Sequence, residues 1–361
     1  EGYVFSCRNL TDEQIKQLIK TYNSNVSKSY LYNMYFDSCF TKGRYGVWLK
    51  GSDDGLILAH TMLIDRKIDN RGLSLKDLAR DYTEYGDYEK DLNEYKSVIA
   101  KEKGIKKKDV TYDLFPDEIL LPYNLIDCCV TFEITEKLLK YKEKLVKEGW
   151  TKLDEVLKLK YNMNREYMFA YIEGVNIDKE KLYQIGNDFL SKRKEVYDSL
   201  INSKEIKTAE KIIKRKAVEK KRNSLKNPIN LKQVKKVLKE NKFNLGSSAH
   251  KKILFYDILN IPQVLFTDKK ELATGAEVVS KFSKDYPILA KFEEYGMYTK
   301  GLTAFLGMEE DEEGESGVLK ILSKDNKVYP SVNITGTITG RTTTNSPNLA
   351  QIPSKSYLKV I

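Results

Sequence analysis

Along most of this chain apolar residues recur at helical spacing, and only a few stretches carry the shorter period of a strand. Thr11-Asp12-Glu13-Gln14 precedes a run in which Ile15, Leu18 and Ile19 share one face, the pattern of a capped amphipathic helix. Ser29 to Asn33 reads as a short buried strand, Asp54 to Leu63 as a second apolar run, and Asp69 to Gly72 as a loop. Leu73 to Ala79 starts a helix, 81–120 is polar and tyrosine-rich and predicts a long loop with short helices, and a helical pattern then runs from Asp117 to about Lys147. Residues 1–147 therefore predict an α/β domain.

From Trp150 to Leu200 the period is helical again, interrupted at Glu173 to Asp178. There a glycine that ends one helix and an aspartate that caps the next predict a helix–turn–helix. Asn227-Pro228 breaks the following segment, helices resume near Lys232 and after Ser247, and helical character continues to about Phe305. After the acidic run Glu309 to Glu315, a solvated loop, Val318–Ser323 and Val328–Ile334 read as two strands of a hairpin.

Composition narrows the class. The chain has 361 residues, of which 41% are hydrophobic and 32% charged, enough to build cores but with no uncharged apolar run that could span a membrane. Glu1 to Asn9 lacks the features of a signal peptide. Four cysteines and two histidines exclude a disulfide scaffold and a histidine-built metal site. They point to a reduced, cytoplasmic setting. Cys128-Cys129 reads as core packing, and His60 and His250 as structural. The net charge of +10 is concentrated: Ser203 to Lys242 carries 15 Lys/Arg against 4 Asp/Glu, so the rest of the chain is close to neutral. Such a block suits a phosphate-bearing partner.

The most informative stretch is Thr335 to Pro353, rich in hydroxyl and amide groups around a single Arg341. Gly336 and Gly340 let another backbone approach, and such a surface can donate hydrogen bonds to sugars, phosphates and base edges. In order and spacing, Thr337-Ile-Thr-Gly-Arg341 followed by Pro347-Asn-Leu-Ala-Gln-Ile-Pro353 resembles the signature of family A DNA polymerases. The resemblance implies that Arg341, with Thr337 and Thr339, reaches the minor-groove side of the primer terminus and the incoming nucleotide. It places Asn348 and Gln351 on the nearby duplex. Upstream, Phe243 to Ser248 with Ile253 to Phe255 resembles the family's thumb, and Glu294-Tyr295 with Lys300 resembles the DNA-facing helix from thumb to palm. Glu173 to Asp178 resembles the turn that enters the thumb. The basic block then falls in an enlarged thumb, where Lys214, Arg215, Lys216, Lys220 and Lys221 would grip product duplex in a salt-dependent way.

Two further patterns, Asn33-Met-Tyr-Phe-Asp37 and Tyr123-Asn-Leu-Ile-Asp127, resemble the second and third motifs of a DnaQ-like 3′–5′ proofreading exonuclease. On a helix, Tyr123 and Asp127 share one face. The resemblance implies Asp37 and Asp127 as ligands of Mg²⁺ or Mn²⁺ and Tyr123 as the residue that orients the attacking water. Asn33 would be positional, and Asp54 is either structural or catalytic. The first exonuclease motif, an Asp-x-Glu, is not found before Asn33, and the family's polymerase aspartates would follow the signature beyond Ile361.

The resulting expectation has three parts. Residues 1–147 form a truncated, ribonuclease H-like α/β exonuclease domain lacking its first motif. Residues 148–290 form a mainly helical thumb with a lysine-rich insertion at about 203–242, and 291–361 start an α+β palm with its first hairpin. The implied parent is a DNA-directed DNA polymerase with 3′–5′ exonuclease. The lysine, asparagine, isoleucine and tyrosine bias suggests an AT-rich, phage source acting in the bacterial host cytoplasm. A first residue other than Met and an unfinished apolar end suggest an internal, processed or split piece. Its two-metal sites would be incomplete and the isolated chain inactive. Expected partners are primer-template DNA, dNTP in the complete enzyme, and a second polymerase fragment or a processivity factor at the thumb, but no membrane. A stand-alone DnaQ-like exonuclease and a non-catalytic DNA-binding subunit of a split polymerase remain the alternatives.

Overall fold

The computed structural model describes residues 3–224, 228–309 and 317–349. These form two compact units: one takes the chain up to Val175 together with the residues from Lys327 on, the other takes Asn176–Asn326. Both are mainly helical.

The first unit contains α1 (Asp12–Asn25), α2 (Met34–Tyr45), α3 (Gly55–Met62), α4 (Ile64–Ile68), α5 (Leu75–Tyr82), α6 (Lys90–Lys103), α7 (Asp117–Lys147) and α8 (Leu153–Glu173). Its core is built around α3, whose Ile57, Leu58, Ala59 and Met62 are buried against Leu75 and Leu78 of α5, Val130, Ile134 and Leu138 of α7, and Leu153 and Leu157 of α8. Ile334, nearly two hundred residues further along, completes that core. Gly55 opens α3 where a side chain has no room: a Cβ there would lie 2.7 Å from the Tyr32 ring. The capping box at Thr11 forms as the spacing predicts, with Thr11 Oγ1 accepting from the Gln14 N–H at 3.3 Å and Gln14 Oε1 accepting from the Thr11 N–H at 2.8 Å. The face of Ile15, Leu18 and Ile19 is only partly covered, however, and no residue of α1 is buried.

Several expectations need correction here. The α/β character of 1–147 is reduced to one parallel pair, Tyr30–Leu31 against Asp53–Asp54. The apolar run after Asp54, to which the sequence pattern assigned no element, forms a helix, because Asp54 caps it by accepting from the Leu56 and Ile57 N–H groups. Residues 81–120 contain a full fourteen-residue helix, α6, ended by Gly104 at φ 63°. Leu92 and Ile99 of α6 join Val110 and Phe115 in a small core of their own. Cys128 is exposed rather than packed. Ser331–Asn333 pairs antiparallel with Thr343–Asn345, within the signature segment, and not with 318–323.

The second unit contains α9 (Lys179–Asn202), α10 (Lys204–Asn223), α11 (Leu231–Glu240), α12 (Ser248–Lys252), α13 (Ala276–Phe282), α14 (Pro287–Lys300) and α15 (Val318–Ile321). The last of these stands where a strand was expected. Asp178 caps α9 through the Lys181 N–H, as predicted. Helices α9 and α14 pack along their length through Phe189 on Tyr298, 5.2 Å between ring centroids, and Tyr197 near Tyr295 at 6.0 Å. Leu200, Ile206, Ala209 and Ile213 carry the core onto α10, where they meet Phe243, Leu254 and Phe255. Among the described residues no helix is long and apolar enough to cross a membrane.

Gly301 follows α14 directly, and a Cβ built on it would lie 2.6 Å from the buried Phe189 ring. Gly301→Ala is expected to destabilise this unit by about 1–3 kcal/mol through overpacking, read as a lower midpoint in urea unfolding. An unchanged midpoint would show that the α9–α14 seam yields.

Candidate functional site

Within the first unit, a cleft of about 1090 Å³ is lined by Asn33 and Asp37 from the start of α2, Lys76 from α5, Asn124, Asp127 and Cys128 from α7, and Thr335 and Gly336. The structure thus brings Asp37 and Asp127 to one cleft. Asp127 is already engaged: Lys76 Nζ and the Tyr88 hydroxyl each donate to its Oδ1 at 2.5 Å. The Lys76 ammonium also stands 5.2 Å over the Tyr88 and Tyr123 rings, which stack 5.9 Å apart. Burial works against the charge on Lys76, but its hydrogen bonds to Asp127 and Tyr123 outweigh it and hold the ammonium protonated. Burial pushes the Tyr123 hydroxyl up to about 12, and that hydroxyl reaches Glu89 at 3.5 Å.

Asp37 is different. Burial first, then the charges of Asp54 and Asp127, push its carboxyl up to about 6. Asp54 is structural: its oxygens accept from the backbone N–H groups of Asn33, Met34, Leu56 and Ile57. Among the described residues no group of three or more His, Cys, Asp or Glu could hold a metal ion. With Asp127 neutralised by an ammonium, the present donor set does not fit a two-metal site. Sequence reasoning singled out Asp37, Tyr123 and Asp127 as candidates but not their neighbours Lys76 and Tyr88. Those lie 51 and 39 residues from Asp127 and carry no local signal.

The signature segment is in the same unit. The Gly340 N–H donates to the Thr337 carbonyl at 3.3 Å, Thr337 Oγ1 donates to the Arg341 carbonyl at 2.8 Å, and Gly340 takes φ 74°. This tight turn leaves Thr339 and Arg341 exposed. Asn348 Oδ1 accepts from the Thr344 hydroxyl at 2.8 Å. Gln351 lies outside the described residues.

In the second unit the basic block resolves into α10 and α11. Lys214 is paired with Glu210, which also accepts the Phe243 N–H at 3.1 Å, so this lysine is partly committed to the fold. Arg215 stands 3.9 Å from Glu219. Lys216, Lys220 and Lys221 are exposed. So are Lys204, Lys207, Lys211 and Arg222. With Arg215, their spacing of 3, 4, 4 and 7 residues lines them up opposite the buried Ile206, Ala209 and Ile213. The spacing alone carries that helical stripe, a signal that the total charge of the block conceals. Lys300 is exposed at the end of α14, its ammonium 5.7 Å over the Phe305 ring.

Residues 212–360, a stretch that includes most of α10 and the Arg341 turn, match the model of DNA polymerase family A. Among curated relatives, the chain is 25% identical to the DNA polymerase of Escherichia phage T5 over 300 residues, 82% of this chain and 32% of that protein. It is also 25% identical to the DNA polymerase of Bacillus phage SP01 over 278 residues, 74% of this chain and 29% of that protein. DNA polymerase I of Caldicellulosiruptor bescii is 30% identical over 114 residues, 31% of this chain and 12% of that protein. The chain thus spans about a third of the length of its phage relatives. The POL domain of Pol1 from M. smegmatis, solved with DNA primer-template and dNTP, shares the fold: TM-score 0.62 at 15% identity, covering 98% of this chain and 48% of that one.

Asp37 yields a test of the cleft's electrostatics. Its folded-state value of about 6 lies above the ordinary 3.8, so its contribution favours the folded state at low pH and is lost as pH rises through 6. Asp37→Asn is expected to raise stability at pH 7.5 by about 1–2 kcal/mol after allowing for screening, and by much less at pH 4. Urea unfolding in a metal-free buffer checks this; an equal gain at both pH values would contradict it.

Proposed function

We propose that this chain is a DNA-binding part of a template-directed DNA polymerase, with its N-terminal region derived from a 3′–5′ proofreading exonuclease. The reading divides it into an exonuclease-type region at 1–147, a thumb at 148–290 and the start of a palm at 291–361. The observation that carries it is the amphipathic build of α10. One face is core, and the opposite face is a stripe of lysine and arginine within and just before family A sequence. Such a stripe neutralises successive backbone phosphates without reading sequence. Arg341, carried out of the fold by the Thr337–Gly340 turn, supplies planar donors for the minor-groove edge of a primer terminus. Thr337, Thr339, Asn348, Gln351 and Lys300 are assigned to the surrounding duplex contacts.

In the complete enzyme the further substrate is dNTP, and Mg²⁺ or Mn²⁺ supplies charge stabilisation for phosphoryl transfer. Within this chain the residues bind and orient DNA. Asp37 and Asp127 alone, one of them neutralised by Lys76, do not assemble an exonuclease centre. A second polymerase fragment, or a processivity factor at the α10–α11 tip, is the further partner this reading allows.

Binding of a primer-template duplex is expected to weaken steeply with salt. Replacing Lys207, Lys211 and Arg215 by alanine is expected to lower the slope of log affinity against log salt by roughly 0.9 for each phosphate left without its cation. A slope that does not move sinks the thumb assignment. The isolated chain with Mg²⁺ is expected to leave single-stranded DNA intact over hours, as followed on a denaturing gel. Ready digestion would overturn the inactive-cleft reading.

A further inference from the structure

Three side chains from three helices converge on the main chain that leads to Arg341. His60 of α3 is buried, 2% exposed, in the helix that supplies Ile57, Leu58, Ala59 and Met62 to the core. Its Nε2 lies 2.9 Å from the Thr337 carbonyl oxygen, and its Nδ1 lies 3.0 Å from Nζ of Lys160 on α8. Lys160 also donates to Thr61 Oγ1 at 3.0 Å. Lys67 of α4 donates to the Thr335 carbonyl at 2.5 Å, on the other side of Gly336.

The donors and acceptors admit one arrangement. A carbonyl only accepts, so Nε2 carries the ring proton; an ammonium only donates, so Nδ1 offers its lone pair. The imidazole is therefore neutral and held in a single tautomer. Burial, opposed by the bond to Thr337 and reinforced by the Lys160 charge, lowers its pKa to about 4, so this tautomer persists through neutral pH. The carbonyl that His60 binds is the same one that accepts the Gly340 N–H and closes the turn. Leucine or methionine would fill the space among Ile57, Leu58 and Met62 without the cost of burying a polar ring. What they could not supply is a directed bond from the core to Thr337.

We infer that His60, held by Lys160, is a positioning residue that fixes the Thr337–Arg341 turn in its DNA-contacting form, with Lys67 fixing the Thr335 carbonyl beside it. This rests on the reading of that turn as a primer-terminus contact. The arrangement preorganises Arg341 from beneath: the exposed side chain stays free for ligand while the backbone carrying it is fastened at two carbonyls.

Two measurements on the same variants separate the inference from the reading beneath it. Amide hydrogen exchange at 336–341 needs no DNA. His60→Leu is expected to speed it by about tenfold, the scale of one backbone hydrogen bond removed, with no change in α7. His60→Gln keeps an Nε2 donor and an acceptor for Lys160, and it is expected to restore slow exchange. Faster exchange spread through α3 and α7, or no rescue by glutamine, would mean that His60 serves packing alone and would overturn the inference. Should His60→Leu fail to fold, Lys160→Met and Lys67→Met, at half-buried positions, carry the same test. In the second measurement, the preference for a recessed 3′ primer end over blunt duplex should fall by about tenfold in His60→Leu and return in His60→Gln. Loosened exchange with an unchanged end preference would instead overturn the assignment of the turn to the primer terminus.

Discussion

A single buried carboxylate organises the first unit. Asp54 is 2% exposed and, among the described residues, forms no ion pair; its compensation is four backbone N–H groups, two opening α2 and two opening α3. Burial pushes its carboxyl up even against those four bonds. The gain is geometric. The bonds fix Asn33 at φ 69°, aim α2 so that Asp37 enters the cleft, and start α3 so that His60 comes up beneath Thr337. Tyr161 of α8 hydrogen-bonds the Asp54 N–H at 3.2 Å, which ties a third helix to the same point.

Charge is handled in two opposite ways. In the cleft it is internally compensated: Asp127 meets Lys76, and Asp37, without such a partner among the described residues, is pushed toward its neutral form. On α10 it is left largely uncompensated along a stripe: Glu219 approaches Arg215 at 3.9 Å, while Glu210 is turned away to Lys214 and the Phe243 N–H. A helix whose inner face is held by Ile206, Ala209 and Ile213 can bear that repulsion, since its stability comes from the core rather than from its surface pairs.

Much of the framework was legible from local pattern. The Thr11 box, the Gly174–Asp178 turn and the full length of α7 follow from capping chemistry and a 3.6-residue period, which act within a few residues. The errors share a cause. Residues 318–323 look extended by composition, yet Val318–Ile321 forms a short helix, and the strand Ser331–Asn333 finds its partner at 343–345. Propensity over four to six residues is weak, and strand pairing is settled by what lies across the gap. Helix α6 was hidden because its lysines mask Leu92 and Ile99, whose partner Phe115 comes after two intervening turns.

For the candidate sites the division is similar. Sequence alone singled out Asp37, Tyr123, Asp127 and Arg341 as candidates, and located the positive charge, because spacing and order carry that information. Tertiary structure decided what each group faces. Lys76 neutralises Asp127 across 51 residues, and His60 reaches Thr337 across 277. Such contacts are set by how α3, α5, α7 and α8 pack around one core, and no local window of sequence contains them. The chemistry of a side chain is written in its residue type, but its protonation, its partners and its freedom to meet a ligand belong to the packed chain.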